Sequence, residues 1–288
     1  MAKKEKKTFS IIRSLLTITL ILASIVAYSY FIEPRLLTFK EYPIKDERFK
    51  TNFKGFKIVH ISDIHYGRIW NKTKLQDLVD SINDQKPDIV VLTGDLIDKN
   101  TKMTAEKADE IANILKGINT TTGKYAITGD QDLKFDEWNN IIANSEFKDL
   151  NNTYDTIYKD SYQGILIAGT STASDKQDIN DKLTQTKEYI NSFEKDGPIY
   201  KILLMHEPDY IDEINNNDFD LILAGHSLGR QINIPLNIFT LPKGAKKYYG
   251  NYYKIENTDL YVSNGLGTTD YDFRFLSVPS YNIYRFSK

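Results

Sequence analysis

A chain of 288 residues with 41% hydrophobic content has enough apolar side chain for one large core or two modest ones. It contains no cysteine, which excludes disulfides, thiolate zinc sites, a cysteine nucleophile and a lipidated cysteine, and removes the usual clue to redox compartment. The net charge of -2 is unevenly spread: residues 1–35 carry six Lys/Arg against two Glu, a sum of +4, so the remainder sums to -6. That remainder lacks the basic footprint of a nucleic-acid binder, and no nucleic acid is expected as a partner.

Lys3, Lys4, Lys6, Lys7 and Arg13 precede an uncharged stretch, residues 14–32, rich in Leu, Ile and Val. Nineteen helical residues span roughly 28 Å, close to the ~30 Å hydrocarbon core of a bilayer. The basic flank is expected to stay in the cytoplasm, which places the rest of a single-pass protein outside the cell membrane. A cleaved signal peptide is the competing reading, because Ala27-Tyr28-Ser29 offers small residues at acceptable spacing. The length of the apolar run favours an uncleaved anchor. No paired arginines precede the run, so twin-arginine export is not indicated. The expected organisation is a basic cytoplasmic tail (1–13), a transmembrane anchor (14–32), a juxtamembrane connector (33–54) leading into an edge strand, and one α/β domain (55–288).

From Phe56 the pattern alternates strand and helix. Residues 56–61 and 88–93 read as buried parallel strands, each ending in a polar turn: Asp63-Ile64-His65 after the first, Gly94-Asp95-Leu96-Ile97-Asp98 within and after the second. Residues 72–84 are helical by the spacing of Leu75, Leu78, Val79 and Ile82. Residues 104–118 are helical by Ala108, Ile111, Ala112 and Leu115, with Thr104 as N-cap. A strand over 124–128 ends at Gly129-Asp130-Gln131-Asp132. A helix near 135–144, strands near 154–158 and 164–168, and an amphipathic helix over 179–193 follow. The strand 198–205 ends at His206, and 219–224 ends at Gly225-His226. Beyond it the Tyr-rich segments 248–255, 260–263 and 281–286 alternate like antiparallel strands closing a second sheet.

Ligands of open α/β sheets bind outside the carboxyl ends of the strands. Five such ends carry Asp63 and His65, Asp95 and Asp98, Asp130 to Asp132, His206, and His226, including three of the four histidines. Carboxylates and imidazoles together suit manganese, iron or zinc. Simpler readings attach to neighbouring residues. His60, inside a strand, reads as a satisfied core histidine. Asp132 reads as a structural acid, and Gly265 and Gly267 as turn glycines. Asp98 fits either a turn residue or an orienting carboxylate.

The ordered set resembles the calcineurin-like metallophosphoesterase superfamily, whose motifs are D-x-H, G-D-x-x-D, G-N-H-[DE], H and G-H-x-H. The resemblance spans roughly residues 40–288. The segments 225–232 and 261–268, with Arg274-Phe275 after the latter, are similar to a membrane-anchored bacterial branch. It implies a four-layer α-β-β-α sandwich after the N-terminal helix, and two divalent metals. Carried over position by position, one metal would take Asp63, His65 and a bridging Asp95; the other would take Asp95, Asp130, His206 and His226. The implied activity is hydrolysis of a phosphodiester or pyrophosphate on a phosphorylated small molecule, lipid or envelope polymer.

Three positions depart from that pattern. Leu228 replaces the second histidine of G-H-x-H, Asp130 replaces Asn, and Gln131 replaces the histidine usually assigned to protonate the leaving group or stabilise charge there. Gln cannot act as an acid, and general acid catalysis is worth about 10²–10⁴-fold, so alkoxide leaving groups should suffer most. Arg230, where Gly is usual, is either a solvated surface residue or a source of positive charge for the site. The same substitutions fit a rival expectation: a catalytically impaired relative that binds metal or a phosphorylated envelope ligand without turnover.

Overall fold

The computed structural model describes residues 2–49, 52–159, 163–193, 197–215, 217–234 and 241–288, with side chains from Lys7 onward. The side chains of Lys3, Lys4 and Lys6 and all of residues 50–51 in the expected connector lie outside the described residues. The strands are β1 (Thr38–Lys45), β2 (Lys57–Ile61), β3 (Ile89–Thr93), β4 (Gly123–Ile127), β5 (Lys148–Asp149), β6 (Thr153–Ile157), β7 (Ile165–Gly169), β8 (Tyr200–Met205), β9 (Leu221–Ala224), β10 (Tyr252–Ile255), β11 (Thr258–Val262) and β12 (Ser280–Ser287). The α-helices are α1 (Ala2–Ala27), α2 (Lys72–Asp84), α3 (Ala105–Lys116), α4 (Trp138–Asn144), α5 (Ile179–Lys182) and α6 (Thr184–Asn191).

The strands form two six-stranded sheets, ordered β1-β12-β2-β3-β4-β5 and β10-β11-β9-β8-β7-β6. Alternation along each strand separates three apolar layers. Val59, Val90 and Leu92 face α2, α3 and α4. Ile58, Ile89 and Val91 point the other way, into a central core shared with Ile167, Ile202 and Leu223 of the second sheet. Leu203, Met205 and Ile222 cover that sheet's outer face with Ile179 and Leu183. Three apolar interfaces between four layers make the α-β-β-α sandwich expected above. Helix starts follow local chemistry: the side chains of Asn71 and Thr104 accept from the backbone N–H of Lys74 and Lys107, capping α2 and α3.

Two expectations need correction. The amphipathic run 179–193 is not one helix but α5 and α6, broken at Leu183. Lys182 and Leu183 are both buried, and Lys182 donates to the carbonyls of Ser171 and Thr172 while pairing with Asp175. Holding Lys182 on those carbonyls fixes the chain at this point, and the helix is interrupted at the next residue. The Tyr-rich segments, in turn, do not close a single sheet. β10 and β11 form an antiparallel hairpin, but β11 runs parallel to β9, and β12 crosses to the first sheet between β1 and β2. In β12, Tyr281 and Ile283 face the helices while Tyr284 and Phe286 fill the central core. A strand apolar on both faces belongs inside a sheet, not at its rim.

α1 continues through a π-helical turn, Tyr28–Ile32, and a 3-10 turn, Glu33–Arg35. It is long and apolar enough to cross a membrane, and its apolar window is wholly exposed. Its far end, by contrast, is built into the sandwich. Ser29 and Glu33 are buried; the Ser29 carbonyl accepts from the N–H of Arg274 at 3.0 Å, and Glu33 Oε1 accepts from the N–H of Ser277 at 2.7 Å. Tyr30 packs against Phe273 with ring centroids 5.2 Å apart.

Replacing Glu33 by Leu leaves the Ser277 N–H buried without an acceptor, a loss of about 1–3 kcal/mol. Thermal unfolding in detergent should show Tm several degrees lower for Glu33→Leu and a smaller drop for Glu33→Gln, which keeps an acceptor. Unchanged Tm in both variants would show that this contact does not stabilise the fold.

Candidate metal centre

The site stands where β2, β3, β4, β8 and β9 end. After β2, β3 and β9 the polar residues are delivered through a backbone that turns sharply. Asp63, His65, Asp95 and His226 all adopt positive φ, at 52°, 50°, 52° and 67°. Left-handed backbone is costly for residues with a Cβ, and it persists where surrounding contacts over-determine it. Those contacts are visible. Asp132, fully buried, accepts at one carboxylate oxygen from the N–H groups of Asp95 (2.7 Å) and Gly129 (2.9 Å), and at the other from Ile97 (3.2 Å). It thereby ties the β3 loop to the β4 loop. The approach is so close that a Cβ on Gly129 would lie 2.2 Å from Asp95 Oδ1, and one on Gly94 would lie 2.4 Å from the Gly129 nitrogen.

Within this frame two groups of ligating atoms form, each with its members within 4.8 Å of one another: Asp63, His65 and Asp95, and Asp95, Asp130, His206 and His226. Asp95 belongs to both. His206 Nε2 lies 3.5 Å from Asp95 Oδ2 and 3.4 Å from Asp130 Oδ1, which is also 3.4 Å from His226 Nδ1. The outer nitrogens meet backbone carbonyls. His206 Nδ1 donates to Thr93 O (2.7 Å) and His226 Nε2 to Lys243 O (2.9 Å), leaving His206 Nε2 and His226 Nδ1 to face the centre. Both ring nitrogens of His65 and Oδ1 of Asp130 are buried with no hydrogen bond. Buried polar atoms left in this way, among carboxylates and imidazoles, fit a divalent cation.

The electrostatics point the same way. Burial alone would lower His206, but the carboxylates of Asp95 and Asp130 outweigh it and hold the imidazole well above its usual range. His226 is likewise depressed by burial but raised overall by Asp130. Asp130 is driven far down by its two histidines in spite of burial. Burial raises Asp63, with the charge of Asp95 adding to it, and the same two causes raise Asp132 well above the carboxylate range.

The remaining sequence candidates sit around this centre. Gln131 is pinned: its Oε1 accepts from the Lys99 N–H (2.8 Å), its Nε2 donates to Thr269 Oγ1 (3.3 Å), and its own N–H donates to Asp95 Oδ1 (2.9 Å). Asp98 falls outside both ligand groups; its Oδ2 is 3.9 Å from Arg68 Nη1 and its Oδ1 accepts from the Asn100 N–H. Arg230 holds its guanidinium 4.7 Å above the Tyr249 ring and lines the cavity next to the centre. Leu228 is buried at φ 50° beside the site. His60 bonds Thr93 Oγ1 and Tyr284 Oη, and burial lowers it to about 3, as suits a core histidine.

Arg274 is the residue whose part spacing does not reveal. Fully buried, it donates to the carbonyls of Leu228, Asn264, Gly267 and Ser277. Gly267 in turn donates its N–H to the Asp63 carbonyl at 2.6 Å, so Arg274 braces the loop behind Asp63. Only the local resemblance of residues 261–275 singled it out.

The calcineurin-like phosphoesterase family model matches residues 56–230, which spans all the ligand positions named above. This chain belongs to the calcineurin-like phosphoesterase family. Relatives include the uncharacterized metallophosphoesterase YkuE of Bacillus subtilis (strain 168), 30% identical over 89% of this chain and 88% of that one. A transmembrane protein with metallophosphoesterase domain from Danio rerio is 26% identical over 77% of this chain and 51% of its own length. Phosphodiesterase YaeI of Escherichia coli (strain K12) is 24% identical over 76% of this chain and 78% of its own.

A pH dependence follows for this member of the family. The raised histidines stabilise the metal-free fold below their unfolded pKa of about 6.5 and lose that contribution as pH rises through the folded value; raised Asp63 and Asp132 act with the same sign. Metal binding needs these groups deprotonated, so its benefit grows over the same window. Differential scanning should give a larger manganese-induced rise in Tm at about pH 8.5 than at about pH 6. Equal shifts at both would contradict a site built from these imidazoles and carboxylates.

Proposed function

We propose that the chain is a membrane-anchored, metal-dependent phosphohydrolase that cleaves a phosphodiester or pyrophosphate bond on a phosphorylated small molecule, lipid or envelope polymer outside the cell membrane. The observation that carries this reading is the pair of ligand groups sharing Asp95 at the wall of a cavity of about 380 Å³. That volume suits a small-molecule head group. Cations border it: Lys99, held by Asp270 at 2.7 Å, and Arg230. An adjoining groove adds Lys176 and Lys243. The name of the Escherichia coli relative supports the phosphodiester, and that of the Danio rerio relative supports the anchor.

Asp63, His65 and Asp95 would hold one divalent metal, and Asp95, Asp130, His206 and His226 the other; manganese, iron and zinc all suit this donor set. When bound, such a pair supplies Lewis acidity toward a phosphoryl oxygen and an acidified water. The chain's own residues do the rest. Thr93 and Lys243 carbonyls orient the imidazoles, Asp132 sets the spacing of the two central loops, and the basic rim draws in an anion. Gln131, pinned and unable to release a proton, leaves departure of the product to the leaving group's own stability.

Asp95→Asn or His206→Ala should lower hydrolysis of bis(p-nitrophenyl) phosphate by about a hundredfold or more, roughly 3 kcal/mol of transition-state stabilisation. Activity retained in both would sink the assignment, and inactivity of the manganese-loaded wild type toward every activated ester and pyrophosphate would favour a binding protein. Because no acid assists departure, rates across substituted phenyl diesters should fall steeply as the leaving phenol becomes more basic. A flat series would mean that some group other than Gln131 supplies the proton.

A further inference from the structure

One loop, residues 269–278, meets both the turns that follow α1 and the rim of the cavity. Residues 269–271 border the cavity: Thr269 bonds Gln131, and the N–H of Gln231 Nε2 reaches the carbonyls of Thr269 and Tyr271. Three residues further on, Arg274 takes the Ser29 carbonyl, Phe273 packs on Tyr30 and Ser277 binds Glu33. Three residues of chain reach at most about 11 Å, so the cavity rim lies within that distance of the helix.

Depth follows from which helix residue is gripped. Ser29 lies three residues inside the end of the apolar run at Ile32, about 4.5 Å of helical rise. The interfacial zone of a bilayer adds about 5–8 Å beyond the hydrocarbon on each side. With Ile32 at the hydrocarbon edge, Ser29 stands about 4.5 Å inside it, so a loop bonded to Ser29 is held against the boundary between hydrocarbon and head groups. Its exposed side chains suit that position. Tyr271 and Leu276 are 68% and 58% exposed, and at the helix exit Phe31 and Ile32 are 62% and 51% exposed. Aromatic residues and arginines at a helix exit are the usual interfacial anchors, and Arg35 stands there with its guanidinium on the Tyr30 carbonyl.

We infer that the 269–278 loop docks on the lipid surface beside the anchor, so that the catalytic cavity opens at head-group depth and not into bulk solvent. The partner is the bilayer itself, and the inference rests on the membrane-anchored reading above. The bonds within reach are then those of phosphates held at head-group depth.

The absence of cysteine makes the test direct. The full chain, reconstituted in vesicles of phosphatidylglycerol and phosphatidylethanolamine, carries one environment-sensitive fluorophore on Leu276→Cys, Tyr271→Cys or Tyr158→Cys. Tyr158 follows β6 at the end paired with the start of β7, away from the strand ends that form the site, and is itself 58% exposed. Nitroxide lipids with a shallow quencher should quench the probes at 276 and 271 severalfold more than the probe at 158. Equal quenching at the three positions in chains that resist carbonate extraction overturns the docked loop while leaving the anchor standing. Release by carbonate overturns the anchor and this inference together. Hydrolysis of soluble bis(p-nitrophenyl) phosphate by the same vesicles reports separately on the catalytic reading.

Discussion

Like charges buried together set the terms for the rest of this molecule. Asp63, Asp95, Asp98 and Asp132 are all at most 2% exposed and gather at one end of the sandwich. Burying a carboxylate is expensive unless it is paired and hydrogen-bonded. Here backbone N–H groups supply part of the compensation: Asp132 takes three, Asp95 takes that of Gln131, and Asp63 takes that of His226. Two of those donors, Asp95 and His226, are themselves left-handed. The strain in the loops and the charge they enclose are therefore two sides of one arrangement, and its donor set is one that a divalent cation would complete.

The site depends on the second sheet as much as the first. β2, β3 and β4 bring Asp63, His65, Asp95 and Asp130, while β8 and β9 bring His206 and His226. The central core between the sheets sets how far apart these contributions lie. Close packing of that core, with Ile58 and Ile89 against Ile202 and Leu223, leaves little freedom for the spacing to drift. Precision at the centre is inherited from an apolar interface that touches none of its ligands.

Much of this was legible in the residues. The buried β-branched runs announced the central strands, the i, i+3, i+4 stripes announced α2 and α3, and the polar turns after strands announced the carboxylates and imidazoles that the structure brings together. Long-range pairing was not legible. Nothing local to 281–286 says that this strand crosses to the first sheet; only its partners on both faces decide it. The break at Leu183 is similarly tertiary, made by carbonyls of Ser171 and Thr172 that lie about ten residues away in sequence. Arg68 beside Asp98 and Arg274 behind Asp63 come from loops whose meeting no periodicity encodes.

The place of β12 bears on how the chain reaches its native state. β1, the first strand, has β12 as its one neighbour in the sheet order, paired in parallel from Thr38 with Ser280 to Lys45 with Ser287. β12 also covers the flank of β2. Pairing across some 240 residues closes the longest loop available and is slow to form. Until β12 has been synthesised, β1 lacks its partner in this sheet, and the edge of β2 stays open to other chains. Completion of the first sheet is thus a timing device: the edge that carries β1 is the last to lock.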